Sequence, residues 1–312
     1  MRTAFINELV VQARTNPRIF LLVGDLGYSV IEPFAAEFPE RFINMGVAEQ
    51  NMAGVAAGLA SEGFHVFIYS IANFPTFRCL EQIRNDVCYH RYPVTVVSVG
   101  GGLAYGNLGY SHHAVQDYAV MRCLNSLTIA APGDPLETAA CVEWIAANPH
   151  PSYLRLGKAG ESAIHDYKPS LELGKTLEVR SDGGLQVGVF LTTGAALRHA
   201  VKAIDDPLLQ GEWGVVSLPL WGEGKKSEIA DELSRYSAIV SVEDHLTAGG
   251  FGSFLREAVA DMAIQLRLKT VSLDATVCGL VGKQDVLNSA GGLDTNRLVD
   301  AALSFGLNAP PC

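Results

Sequence analysis

Glu49 stands out among the acidic residues for its neighbours. It falls in the run Asn44-Met45-Gly46-Val47-Ala48-Glu49-Gln50-Asn51-Met52, where a short apolar strand gives way to a helix of small residues, Ala53 to Ala60. A carboxyl group among Gly, Val, Ala and Met must pair with a donor or give up its charge. Poised in that way, it can serve as a general acid or base. The first turn of a helix also favours an acid through the macrodipole alone, so the segment by itself leaves both readings open. The same helix carries Gly54 and Gly58. Each costs about 1 kcal/mol relative to alanine, which suggests a neighbour packed close against the helix backbone.

Other residues capable of chemistry lie downstream. Phe74 and Phe77, in Ile71-Ala72-Asn73-Phe74-Pro75-Thr76-Phe77-Arg78, offer aromatic faces that can bind a flat heterocycle or pack as core. The apolar run Val94 to Val99 leads into a loop holding Gly100, Gly101, Gly102, Gly106 and Gly109, which ends in Ser111-His112-His113-Ala114. A dinucleotide fingerprint fails in this loop, because Tyr105 holds the position of its last glycine. Asp25-Leu26-Gly27-Tyr28-Ser29 has the composition of a strand-end turn.

The elements that must position these groups alternate along the chain. Short β-branched runs at 20–23, 66–69, 94–99 and 127–130 are interleaved with helical stretches near 3–15, 48–61, 76–90 and 134–147. Asp134 is the expected N-cap of the last of these, with Pro135 at its first position. Residues 159–184 break the rhythm with Gly160, Pro169, Gly174 and Ser181-Asp182-Gly183-Gly184, and a second alternating unit follows. The pattern predicts an α/β protein of two consecutive domains with mainly parallel sheets. Their expected bounds are 1–165 and 185–312, joined by a linker over 166–184.

Composition narrows the classes. A chain of 312 residues fits two domains of ordinary size. With 48% hydrophobic and 18% charged residues it is globular rather than disordered. A net charge of −10 argues against binding nucleic acid. No apolar run reaches membrane-spanning length, and the first dozen residues lack a signal-peptide layout, so neither a membrane nor export is expected. The six cysteines, at 79, 88, 123, 141, 278 and 312, form no close pairs. They read as reduced thiols of a cytoplasmic protein rather than as a disulfide frame or zinc site.

The Glu49 run resembles the G-[IV]-x-E-[QH]-x-M segment of thiamine-diphosphate enzymes of the transketolase family. The resemblance implies that Glu49 bonds a ring nitrogen of the cofactor's aminopyrimidine and favours the tautomer that accepts a proton from the thiazolium carbon. It places Phe74 on the pyrimidine face, Phe77 beside it, and Ile71 where the family often has another aromatic. Asp25 matches an Asp near the cofactor, and Ser29 a Ser that touches substrate phosphate. His112 matches the His of a G-P-T-H-[QH] run that contacts substrate oxygens, and His113 takes the next position. Arg2 and Lys158 match phosphate-binding basic residues. Three departures stand out: Tyr110-Ser111 replaces Pro-Thr, Leu108 stands where many members have an acid, and Gly100 stands where transketolases have a phosphate-holding His.

The likeness spans the chain but covers only the second and third domains of a full transketolase. The missing domain holds the diphosphate through Mg2+ or Ca2+ with a Gly-Asp-Gly motif. That motif is absent here, Gly24-Asp25-Leu26 and Gly133-Asp134-Pro135 being the nearest approaches. The implied metal ligands therefore lie on a separate N-terminal subunit, in an expected α2β2 heterotetramer. Ser241-Val242-Glu243-Asp244-His245 and Gly249-Gly250-Phe251-Gly252 resemble third-domain segments near a subunit contact, which implies a structural place for Glu243 and His245. The expected activity is that of the C-terminal subunit of a split transketolase, a transferase of carbohydrate metabolism. It would move a two-carbon ketol unit from a ketose, expected to be phosphorylated, to an aldose. The alternatives are the β subunit of a 2-oxo acid dehydrogenase, a specialised transketolase of an unusual sugar or secondary-metabolite pathway, and a non-catalytic protein on the same fold.

Overall fold

The computed structural model of the chain describes residues 1–181, 186–209 and 211–306. Most of the Ser181-Asp182-Gly183-Gly184 turn and the last cysteine, Cys312, lie outside the described residues. Two sheets carry the fold. The first contains β1 (Ile19–Val23), β2 (Phe42–Asn44), β3 (His65–Ile71), β4 (Val94–Val99), β5 (Thr128–Ala130) and β6 (Ser152–Leu156). The second contains β7 (Leu177–Arg180), β8 (Gly188–Thr192), β9 (Trp213–Ser217), β11 (Ala238–Leu246) and β12 (Arg267–Leu273), while β10 (Leu220–Trp221) returns to the first. Their orders are β10-β5-β6-β4-β3-β1-β2 and β12-β11-β8-β9-β7.

Pairing is parallel throughout except at β10 on β5 and at β7 on β9, both antiparallel edges. The central strands are near-continuous apolar runs, as parallel strands covered on both faces must be. All six residues of β4 are buried. Fully burying one such valine or isoleucine stabilises by about 1.5–3 kcal/mol.

Three features depart from the sequence pattern. The stretch expected to be one helix near 76–90 is broken into Asn73–Phe77, Leu80–Gln82 and a π-helical turn over Ile83–Cys88. Cys79 leaves helical geometry at φ −110° and ψ 8°, which sets Arg78 at a helix end. Within the expected linker, Leu177–Arg180 is strand β7 of the second sheet. The helix Glu49–Ser61 buries Met52, Ala53, Ala56, Ala57 and Ala60. Its glycines fall on the other side: a side chain at Gly54 or Gly58 would meet nothing within 4 Å. Among the described residues no close neighbour packs against them, contrary to the expectation from their helix-propensity cost.

Among the described residues no helix is long and apolar enough to cross a membrane. Cys79, Cys88, Cys123, Cys141 and Cys278 are free thiols.

Candidate functional site

The strand-to-helix junction after β2 brings Glu49 against the C-terminal end of β1. A side chain at Gly24 would lie 3.8 Å from Glu49 Cγ and 3.4 Å from the Ser70 hydroxyl oxygen. Glu49 is only 4% exposed. Its Oε1 accepts a hydrogen bond from Arg78 Nη1 at 3.0 Å. The Arg78 guanidinium also rests on the Phe74 ring, 4.0 Å from its centre, and Phe74 meets His112 edge-on with ring centres 5.3 Å apart. Glu49, Arg78, Phe74 and His112 thus form one contiguous group.

The loop bearing His112 is held from two directions. Asn73 Nδ2 donates to the carbonyls of Ser111 at 3.0 Å and His113 at 3.1 Å, which ties the loop to the helix carrying Phe74. Ser111 Oγ lies 2.9 Å from His112 Nδ1. Burial lowers the His112 pKa, with further contributions from the Arg78 and His113 charges. A neutral imidazole offers one donor and one acceptor nitrogen, the pair needed to meet a carbonyl and a hydroxyl.

From the other direction, the glycine-rich loop lies on a buried ionic cluster. Arg155 Nε donates to Asp117 Oδ2 at 2.7 Å, Nη1 to Asp244 Oδ1 at 2.5 Å and Nη2 to the Ala114 carbonyl at 2.8 Å. Tyr153 adds its hydroxyl to Asp117 at 2.6 Å. A side chain at Gly101 would strike Arg155, and one at Gly102, which has φ +63°, would strike Asp244. The glycines therefore serve close packing on this cluster. Glu243 is occupied nearby, accepting from the backbone N–H groups of Phe251 at 2.6 Å and Gly252 at 3.0 Å at a helix start. His245 Nδ1 lies 2.7 Å from the Leu246 carbonyl.

The remaining expected residues occupy neighbouring positions. Asp25 Oδ1 accepts from Asn44 Nδ2 at 3.0 Å and from the Tyr28 hydroxyl at 2.8 Å. These bonds, Asn44's foremost, hold its carboxyl below the usual carboxylate range. Asp25 and Ser29 both have positive φ, +54° and +65°, a conformation non-glycine residues adopt at a cost and often at functional sites. Ile71 is half-buried at the end of β3, and Phe77 is 41% exposed, without a ring contact among the described residues.

His113 turns inward. It is 1% exposed, with Nε2 3.4 Å from the Gly106 carbonyl and Nδ1 unpartnered. Arg2 lies beside Tyr69 and Tyr105, where burial pushes the Tyr69 hydroxyl up to about 12 against the opposing pull of Arg2. The Tyr105 ring fills the space a side chain at Gly100 would need. Lys158, with Lys202 and Lys283, lines a cavity of about 850 Å³ between the two halves. That cavity does not include Glu49, Phe74 or His112.

Arg78, Asn73, Asp117 and Arg155 were not among the residues singled out from sequence, and Asp244 was named only within its third-domain segment. Only Arg155 carried a signal, being a charged residue inside an apolar strand, where burial demands partners.

The chain as a whole is similar to known proteins. Residues 1–160 match the family "Transketolase, pyrimidine binding domain". The B subunit of the apulose-4-phosphate transketolase of Phocaeicola vulgatus is 30% identical, the match covering 97% of this chain and 96% of that protein. The protein of the same name from Actinobacillus succinogenes is 30% identical over 88% of each chain. A split-gene transketolase solved as an inactive β4 tetramer superposes with a TM-score of 0.82 and 31% identity, covering 97% of this chain and 96% of that one. The chain belongs to the transketolase family. Within it, the chain corresponds over nearly its whole length to the C-terminal subunit of a split transketolase.

Proposed function

We propose that this chain binds the aminopyrimidine end of thiamine diphosphate and, with a diphosphate-binding partner subunit, moves a two-carbon ketol unit from a ketose to an aldose. One observation carries the reading: a flat, nitrogen-edged group already sits between the Glu49 carboxyl and the Phe74 ring, in the form of the Arg78 guanidinium. A nitrogen-bearing group can therefore meet the carboxyl and the ring together, as an aminopyrimidine would have to. We take 1–165 as the pyrimidine-binding unit and 185–312 as the C-terminal unit, joined through 166–184, whose strand β7 belongs to the sheet of the second unit.

When bound, thiamine diphosphate supplies the carbon nucleophile that carries the ketol unit between sugars. The side chains here do the rest. Glu49 holds a proton at the ring nitrogen it faces, and general acid–base help of this kind contributes about 10²–10⁴ in rate. Phe74 covers one ring face, with Ile71 and Phe77 at its margin and Asp25 close by. His112 meets the substrate oxygens, and His113 backs the loop. Arg2, Lys158 and Ser29 supply cation and hydroxyl contacts for a substrate phosphate. The two bacterial relatives are named for apulose-4-phosphate, a phosphate ester, which favours a phosphorylated substrate here as well.

The partner supplies the ligands for Mg2+ or Ca2+. Among the described residues no group of three or more His, Cys, Asp or Glu is placed to hold a metal. The exposed apolar side chains of Val47, Phe77, Leu108 and Tyr110 flank these segments in sequence, and they suit a surface that a partner covers.

Native mass spectrometry of the chain co-expressed with such a partner, in thiamine diphosphate and Mg2+, tests the reading. Four chains carrying two cofactors, with ketol transfer from a ketose phosphate, is the expected result. Release of carbon dioxide from a 2-oxo acid would replace it with the dehydrogenase reading, and saturable cofactor binding by this chain alone would overturn the shared site.

A further inference from the structure

Arg78 satisfies two groups at once. It donates to Glu49 at 3.0 Å while its guanidinium carbon lies over Phe74, 4.0 Å from the ring centre. An aminopyrimidine held at the same carboxyl oxygen and the same ring face would need the place Arg78 takes, its ring nitrogen accepting from the Glu49 acid where Arg78 now donates to the carboxylate. We propose that Arg78 is a displaceable latch: it occupies the pyrimidine gap of the unloaded chain and must swing out before the ring enters. This inference rests on the functional reading above and adds a competitor to it.

The geometry allows the movement. The Arg78 side chain is 48% exposed, against 5% for that of Glu49. Arg78 closes the helix Asn73–Phe77, just before the chain leaves helical geometry at Cys79. Among the described residues its side chain has no hydrogen-bond or ion-pair partner besides Glu49. A buried carboxyl left without a partner is costly, so loading proceeds as an exchange of partners on Glu49, from the Arg78 donor to the accepting ring nitrogen, and not as an opening followed by a filling. Until the ring arrives, Glu49 stays paired and the Phe74 face stays covered. The latch lowers the apparent affinity for the cofactor by the fraction of sites it keeps closed.

The test uses the assembled complex and two ligands: thiamine diphosphate, and a thiazolium diphosphate lacking the aminopyrimidine ring. Dissociation constants are read by calorimetry for the wild type, Arg78→Met and Arg78→Lys. Methionine keeps an apolar stem over Phe74 but cannot donate to Glu49. Thiamine diphosphate should bind Arg78→Met about fivefold more tightly, as expected if roughly four in five unloaded sites are latched. The ringless ligand should bind both proteins alike, since it never enters the gap. Lysine keeps a charge without the planar fork and should fall between the two.

Unchanged or weaker binding of thiamine diphosphate to Arg78→Met would overturn the latch. So would equal changes for both ligands, which would mean that Arg78 acts only as a general charge. If the wild-type complex bound neither ligand, the functional reading itself would fall, and the latch with it.

Discussion

Arg155 and Asp244 meet at 2.5 Å with both side chains buried, although one stands on β6 of the first sheet and the other on β11 of the second. The contact ties the two halves together directly beneath the loop that carries His112. Arg155→Met would leave Asp117 and Asp244 buried without their shared cation. Breaking a buried pair in this way costs about 3–5 kcal/mol. A urea denaturation midpoint lowered to match is expected, and a shift under about 1 kcal/mol, the worth of an exposed pair, would show that the cluster is far less important than its burial implies.

Glu49→Gln keeps an acceptor for Arg78 but removes the acid. Turnover of the assembled complex at saturating cofactor should fall by about 10²–10⁴, the usual worth of a positioned acid or base. Thermal stability of the free chain should barely change, because Arg78 on the other side of the pair is half-exposed. Turnover close to wild type would remove Glu49 from the chemistry.

The glycines of the helix Glu49–Ser61 separate two effects. Gly58→Ala should raise the stability of the isolated chain by about 1 kcal/mol, the ordinary helix-propensity gain, since the space around Gly58 is open. Gly58→Leu should instead weaken assembly with the partner, read as a higher dissociation constant in sedimentation, if another chain packs on that face. Assembly unaffected by leucine would place the partner elsewhere.

Burial pushes the Glu243 carboxyl from 4.5 up to about 8, against the opposing pull of the Gly252 and Phe251 N–H groups. In the unfolded chain this proton leaves in the usual carboxylate range, whereas the folded chain retains it until about pH 8. Between those values the folded state binds more protons, so stability declines as pH rises through this window. Glu243→Gln should flatten that decline while keeping one acceptor for the helix start. A denaturation-midpoint profile over pH 4.5 to 8 that is identical in the two proteins would refute the assignment.

The sequence exposed those parts of the site that local pattern determines. Val94 to Val99 reads as a buried parallel strand because every residue in it is apolar or small, and it is one. Asp134 caps its helix as its type and the following Pro135 require, accepting from the Glu137 N–H at 2.7 Å. Glu49, Phe74 and His112 were singled out through the resemblance of the runs around them, and the last two are in ring contact. Arg78 was hidden because an arginine at a helix end looks like a solvated charge; only the approach of its helix to Glu49 gives it a partner. Asp117 was hidden, and Asp244 was named only as part of a third-domain segment, because their partner Arg155 lies far from both in sequence. Strand β10 is two residues long, too short for any periodicity to reveal.

That short strand has a consequence for how the chain can be made. Leu220 and Trp221 close the outer edge of the first sheet by pairing with Ala130 and Ile129, and Trp221 is fully buried against Tyr118, Phe251 and Phe254. During synthesis, β5 therefore waits as an open edge until the ribosome has delivered the segment that covers it, and open edges recruit other strands. A chain stopped after residue 165 should emerge sticky and self-associating. A chain cut once within 166–184 after folding should keep both pieces together, as two fragments of one molecule.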